Sequence, residues 1–164
     1  MIAPLAALAL LFATPQAALP PAPAHALAAG QVTVAAEVTL DRMHEAASRA
    51  DGETYFAQFA PGARFVGTDA SERWDIGAFR AYTEPYFARG QGWTYRPRDR
   101  TLTLSGDFVW FDEILDHDSY GVLRGSGVLV RQGPDGDWKI AQYIISFAVP
   151  NDRSRAVVEA IGAE

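Results

Sequence analysis

The sequence contains no cysteine, which excludes disulfides, thiolate metal sites, a cysteine nucleophile and a lipid-modified N-terminal cysteine. Positive charge is scarce. Fourteen Lys plus Arg stand against twenty Asp plus Glu, a net charge of −6, so the surface repels phosphate backbones and nucleic acid is not an expected partner. No uninterrupted apolar run reaches the ~20 residues that a membrane-spanning helix needs. There is no Gly-rich phosphate loop and no Gly-x-Ser-x-Gly elbow, so nucleotide binding and serine-hydrolase chemistry lack a motif. The one tight group of metal-type ligands, Asp116-His117-Asp118, falls in a turn, where solvated polar residues are expected. Neither a metal nor a cofactor is expected.

Charge is also missing from one end. No Asp, Glu, Lys or Arg precedes Glu37, and Leu5 to Ala13 is a short apolar run followed by small-residue sites such as Ala24-His25-Ala26. Residues 1–26 read as a secretory signal peptide, the alternatives being a disordered Ala/Pro leader or a mis-called start. The expected division is 1–26 signal peptide, 27–36 linker, 37–152 folded domain and 153–164 tail. The expected location is periplasmic or secreted, with no membrane span after cleavage.

What remains is one domain's worth of chain. Of its 164 residues, 49% are hydrophobic and 21% charged, the balance of a chain that can fold alone. Val38, Leu40, Met43, Ala46, Ala47 and Ala50 recur at helical spacing until Asp51-Gly52. A short second helix is expected over 53–59, ended by Pro61-Gly62, then a brief strand over 63–66. A third helix over 75–88 is interrupted or bent at Pro85. Residues 93–104, 107–115, 120–131 and 138–147 are rich in β-branched and aromatic residues and are separated by turn signals, so they predict an antiparallel meander. Helices first and strands afterwards give an α+β class. The tail, with Val157, Ala160 and Ile161, predicts a final amphipathic turn or two.

The strand around Phe111-Asp112-Glu113 is apolar on both faces, so one carboxylate must face the interior. A turn centred near His117-Asp118-Ser119 sets Glu113 opposite Arg124 and Asp112 opposite Gly125. Gly125 and Gly127 leave room above the sheet, and this register places Trp110, Asp112, Ile140 and Gln142 on their face. It places Phe111, Glu113, Arg124 and Tyr143 on the opposite, outer or dimer-facing side. A one-residue slip exchanges the two sets, making the Glu113, Arg124 and Tyr143 cluster the pocket. All of them can equally be structural, with Glu113 and Arg124 a cross-strand salt bridge.

Several spaced blocks then point to a family: Gly67-Thr68-Asp69-Ala70-Ser71-Glu72-Arg73-Trp74, Gly92-Trp93-Thr94-Tyr95, Trp110-Phe111-Asp112-Glu113, Arg124-Gly125-Ser126-Gly127-Val128-Leu129 and Trp138-Lys139-Ile140-Ala141-Gln142-Tyr143. In this order they resemble the SnoaL-like branch of the nuclear-transport-factor-two-like superfamily over roughly 38–152. The resemblance implies a cone-shaped curved antiparallel sheet on about three N-terminal helices, an apolar pocket between them, and commonly a homodimer. Function is left open, since this fold hosts isomerases, cyclases, dehydratases and non-catalytic binding modules. Related branches carry His-x-His on the last strand, where Gln142 and Ile144 stand here.

Three residues are candidates for acid/base work. His44 shares an inward helical stripe with Leu40 and Ala47. Asp69 follows the first strand near where the ketosteroid isomerase-like branch has a catalytic carboxylate, and can equally cap a turn. Asp112 is the third, expected in an apolar setting. Trp74, Tyr86, Trp93 and Trp110, with Gln142, are the expected lining of a site for a small apolar or aromatic ligand, although aromatics at such spacings often only fill a core. Two function classes follow: a small-molecule binding protein, and a cofactor-free isomerase, cyclase or dehydratase.

Overall fold

The computed structural model describes residues 24–132 and 136–162. The expected signal peptide falls almost wholly outside the described residues, and so does most of the turn at 133–136. The elements run α1 (Ala24–Ser48), α2 (Gly52–Ala57), β1 (Phe59–Val66), β2 (Arg73–Asp75), α3 (Ile76–Phe87), β3 (Arg96–Ser105), β4 (Phe108–His117), β5 (Gly121–Gln132), β6 (Asp137–Phe147), a 3-10 turn at Asn151–Arg153 and α4 (Ser154–Ile161). No helix among the described residues is long and apolar enough to cross a membrane.

α1 runs through the residues expected to be a linker and carries Ala36, Leu40, Met43 and Ala47 inward, all buried. Asp51 ends the first helical run and caps the next, its carboxylate accepting from the Thr54 amide at 3.0 Å. Asp75 does the same for α3 through the Ala78 amide at 2.8 Å. α3 continues uninterrupted through Pro85, which sits in its last turn and leaves the Ala81 carbonyl without the amide donor that another residue would supply.

The six strands form one curved, open sheet in the order β2-β1-β6-β5-β4-β3. β3 to β6 are the expected antiparallel meander, but β1 pairs parallel with β6, so the sheet is mixed. β1 also begins four residues earlier than expected. Pro61 and Gly62 lie in a register shift against β6, with Gly62 at φ 75°, so the bulge absorbs the proline within the strand.

Helices α1 to α3 fill the inner face of the sheet. Tyr55 packs against Phe56, Phe59, Phe79, Phe87 and Trp93 at centroid distances of 4.9–6.4 Å. Each such ring removed from water contributes about 1.5–3 kcal/mol. α4 has no buried residue, and Val158 and Ile161 are exposed on it.

The register of β4 against β5 differs by one residue from the expectation. His117 pairs with Gly121, which sets Glu113 opposite Gly125 and Asp112 opposite Ser126. The turn holds one more residue than a centre at Asp118 and Ser119 allows. His117 Nδ1 accepts from the amides of Ser119 and Tyr120, and Gly121 takes a positive φ of 70° to re-enter the sheet. A bulge between Val128 and Leu129 then lets both Ile140 and Tyr143 face inward. The glycine face is the inner one, as expected, but Glu113 lies over it. A Cβ on Gly127 would stand 2.0 Å from the Gln142 carbonyl oxygen, a contact with backbone. Gly127→Ala should therefore cost about 1–3 kcal/mol in denaturant unfolding, as overpacked sites do; an unchanged midpoint would contradict this close approach.

Candidate functional site

Glu113 is 0% exposed, yet it is charged. Its Oε1 accepts from His44 Nε2 at 2.8 Å and from the Tyr143 hydroxyl at 2.7 Å. Its Oε2 accepts from Arg100 Nε at 2.8 Å. Arg100 Nη2 lies 2.7 Å from the same oxygen without the angle of a hydrogen bond, so Nε carries the bond while Nη2 adds charge. Arg100 Nη1 reaches on to Asp41 at 2.7 Å. Each partner arrives on a different element: His44 from α1, Arg100 from β3 directly opposite Glu113, and Tyr143 from β6.

Burial pushes the Glu113 carboxyl up, but the hydrogen bond and charge of His44, the charge of Arg100 and the Tyr143 hydroxyl outweigh it and hold it at about 2. Burial raises the Tyr143 phenol well above its ordinary range, with the Glu113 charge adding to the shift. Glu113 is thus a permanently ionised, fully engaged acceptor and has no role as a proton shuttle near neutral pH.

An open-mouthed cavity of about 250 Å³ lies beside this cluster, between β1, β2, α3 and β6. Phe65, Trp74, Phe79, Tyr82, Trp93 and Tyr120 give it an aromatic lining, and Glu72 is its one carboxylate. Phe65 stacks on Phe79 at 4.0 Å and on Tyr143 at 5.8 Å, separating the cavity from Glu113. Tyr95, whose phenol burial pushes up to about 12, lines the cavity on one side. On the other it borders a cleft of about 300 Å³ between α1 and β3, which His44 also lines.

Of the expected residues, His44 is buried and inward, as its helical stripe predicts. Trp74 and Trp93 line the cavity. Asp112 does not: it is exposed on the outer face, a consequence of the one-residue register difference. Trp110 is 49% exposed on that same face, and Gln142, adjacent to inward Tyr143, sits opposite Val128 and Arg64 on it. Tyr86 is exposed on α3 beside Tyr82 and under the Arg89 guanidinium, outside the cavity lining. Asp69 is exposed and held in its turn by the Ser71 amide and hydroxyl, which lower its pKa. In the alternative cluster, Glu113 and Tyr143 do meet, but Arg124 is exposed opposite Ile114 and Arg100 takes its place. No three His, Asp or Glu side chains among the described residues are grouped to hold a metal.

Arg100 and Glu72 were not singled out from the sequence. Arg100 was within reach: a two-residue turn at Gly106-Asp107, with Gly106 at φ 58°, fixes the β3–β4 register and sets Arg100 opposite Glu113. For Glu72 the signal is Gly67. The Gly67 amide donates to the Glu72 carbonyl at 2.9 Å, and a Cβ on Gly67 would stand 2.1 Å from Glu72 Oε2.

Residues 36–150 match the family described as a SnoaL-like domain. No curated protein matches the sequence. Among solved structures, the chain is similar to a proposed dehydratase of the NTF2-like family from Streptomyces avermitilis (15% identity, 74% of this chain and 99% of that one, TM-score 0.63). It is also similar to a proposed ketosteroid isomerase from Shewanella frigidimarina (18%, 68% and 94%, TM-score 0.54) and to a cystatin-like fold protein from Burkholderia xenovorans (20%, 73% and 95%, TM-score 0.60). At these identities the likeness is one of fold.

Because Glu113 has a folded pKa of about 2 against an ordinary 4.5, the stability it contributes is complete above about pH 4.5 and is lost as pH falls toward 2. Glu113→Gln should cost about 3–5 kcal/mol at neutral pH by leaving Arg100 poorly compensated, and should flatten that acid dependence. Asp112→Asn should stay within about 0.5 kcal/mol. Urea midpoints measured from pH 7 to pH 3 compare the three proteins.

Proposed function

The chain belongs to the SnoaL-like domain family, and on that premise we propose that it binds a small, mainly apolar aromatic molecule in the cavity beside α3. The observation that carries this reading is the lining itself: seven aromatic side chains enclose about 250 Å³ and a single carboxylate, Glu72, offers an acceptor. Such a site suits a one- or two-ring compound with one donor group. A second reading, a cofactor-free isomerase, cyclase or dehydratase, is favoured by Glu72 alone, as a cavity carboxylate free of a cationic partner within salt-bridge distance among the described residues.

Calorimetric titration with 2-naphthol tests the binding reading. One saturable site with Kd below about 1 mM is expected, equivalent to about −4 kcal/mol or better. Thr68→Trp, at the exposed lip of the cavity, should weaken binding at least about tenfold with the circular dichroism spectrum unchanged. Equal affinity in that variant, or no binding at all, would remove the cavity from the account. Glu72→Gln separates the two readings, because binding survives it and acid/base turnover does not.

We further propose that the homodimer implied by the family resemblance forms through the outer sheet face, where Phe108 and Trp110 are 55% and 49% exposed. Sedimentation of Trp110→Glu should then give a monomer, whereas a dimer would move the contact elsewhere.

A further inference from the structure

His44 offers a second site, independent of the aromatic cavity. The side chain is only 6% exposed, and Nε2 is engaged with Glu113 at 2.8 Å. Nδ1 has no hydrogen-bond partner among the described residues and is not closed off from solvent. The cleft between α1 and β3, about 300 Å³, is the open space that His44 lines.

The chemistry of the contact fixes which ring nitrogen can receive a ligand. Glu113 accepts from His44, Tyr143 and Arg100 together, so it is ionised and can only accept. Nε2 must then carry a hydrogen. In the neutral ring, Nδ1 is left with its lone pair, just as a carboxylate behind a metal-bound or catalytic histidine fixes its tautomer.

The rim decides the charge of what enters. Asp41 and Glu45 stand on the α1 side. The cations nearby are already engaged: Arg100 with Asp41 and Glu113, Arg96 with Asp118. The carboxylates are engaged in turn, Asp41 by Arg100 and Glu45 by Arg49, so no unpaired charge of either sign awaits an ion there. The Tyr95 and Pro97 side chains supply apolar wall, with the Tyr95 ring edge-on to His44 at 6.4 Å.

We propose that the α1–β3 cleft is a binding site for a small neutral hydroxylic molecule, which donates its O–H to His44 Nδ1 while Glu113 holds the ring from behind. Glu113 is here a positioning residue and does not touch the ligand. Tyr95 walls both this cleft and the aromatic cavity, but the two spaces take their ligands separately.

The test uses the intact, uniformly ¹⁵N-labelled chain at about pH 9, above the ordinary range of imidazoles, with phenol as probe and toluene as its isostere lacking a donor. Long-range proton–nitrogen correlation spectra should show the proton on Nε2 and an unprotonated Nδ1. Saturating phenol should move the Nδ1 resonance toward the hydrogen-bonded range, and toluene should not. Thr68→Trp, which blocks the other cavity, should leave the phenol shift at His44 intact, so failure of the cavity reading and failure of this one are told apart. A proton on Nδ1 in the free protein would overturn the proposal. So would an Nδ1 shift of equal size with toluene, no Nδ1 shift with phenol, or tighter binding of acetate than of phenol.

Discussion

The carboxylate of Glu113 is the point on which four elements converge. Removing one charge from water costs several kcal/mol even after the protein relaxes, so a glutamate at 0% exposure is tolerable only when donors meet it in good geometry. Here α1 supplies His44, β3 supplies Arg100 and β6 supplies Tyr143, while Gly125 directly opposite on β5 leaves the space: a Cβ there would lie 2.3 Å from the Tyr143 hydroxyl oxygen. The cost of leaving any donor out ties the register of three strands to the position of a helix. A slip of one residue would bury Asp112 in place of Glu113 and lose the opposed Arg100, so the polar cluster disfavours that alternative more strongly than apolar packing could.

That arrangement also divides the labour around it. A carboxylate with every strong acceptor direction occupied and its pKa near 2 neither takes nor gives a proton at physiological pH, so its influence on a ligand is indirect. It reaches the α1–β3 cleft through the His44 ring. Toward the aromatic cavity it is screened by Tyr143 and Phe65, whose stacked rings form the partition. Polar contact inside the cavity falls instead to Glu72, placed by the loop that returns from β1 to β2.

Much of this was legible in the sequence. Turn residues and β-branched runs mark β3 to β6 within a few residues, and the Leu40, His44, Ala47 stripe correctly predicts an inward histidine. The glycines on β5 correctly mark the inner face. What failed was a parity. The hairpin after His117 gains a residue because the His117 side chain accepts from two amides of the turn, a tertiary detail that composition does not reveal, and one residue suffices to exchange Asp112 with Glu113. The bulge in β6 then compensates in part, so Ile140 stays inward while Gln142 and Tyr143 trade faces. β2 is three residues long and β1 pairs parallel with the distant β6, so neither follows from local periodicity. Arg100 was hidden by its exposed-looking neighbours, an alternation of arginines with Pro97 and Asp99 that reads as a solvated edge.

The central claim is that Glu113 is ionised in the interior because His44, Arg100 and Tyr143 all donate to it. Carbon-detected NMR of the Glu113 side-chain carboxyl, followed through an acid titration of the folded chain, measures this directly. The account predicts no change in that resonance until the pH nears about 2. Titration in the ordinary range around 4.5 would show that the carboxylate is neither buried nor held by those donors, and the register of β4 would have to be redrawn.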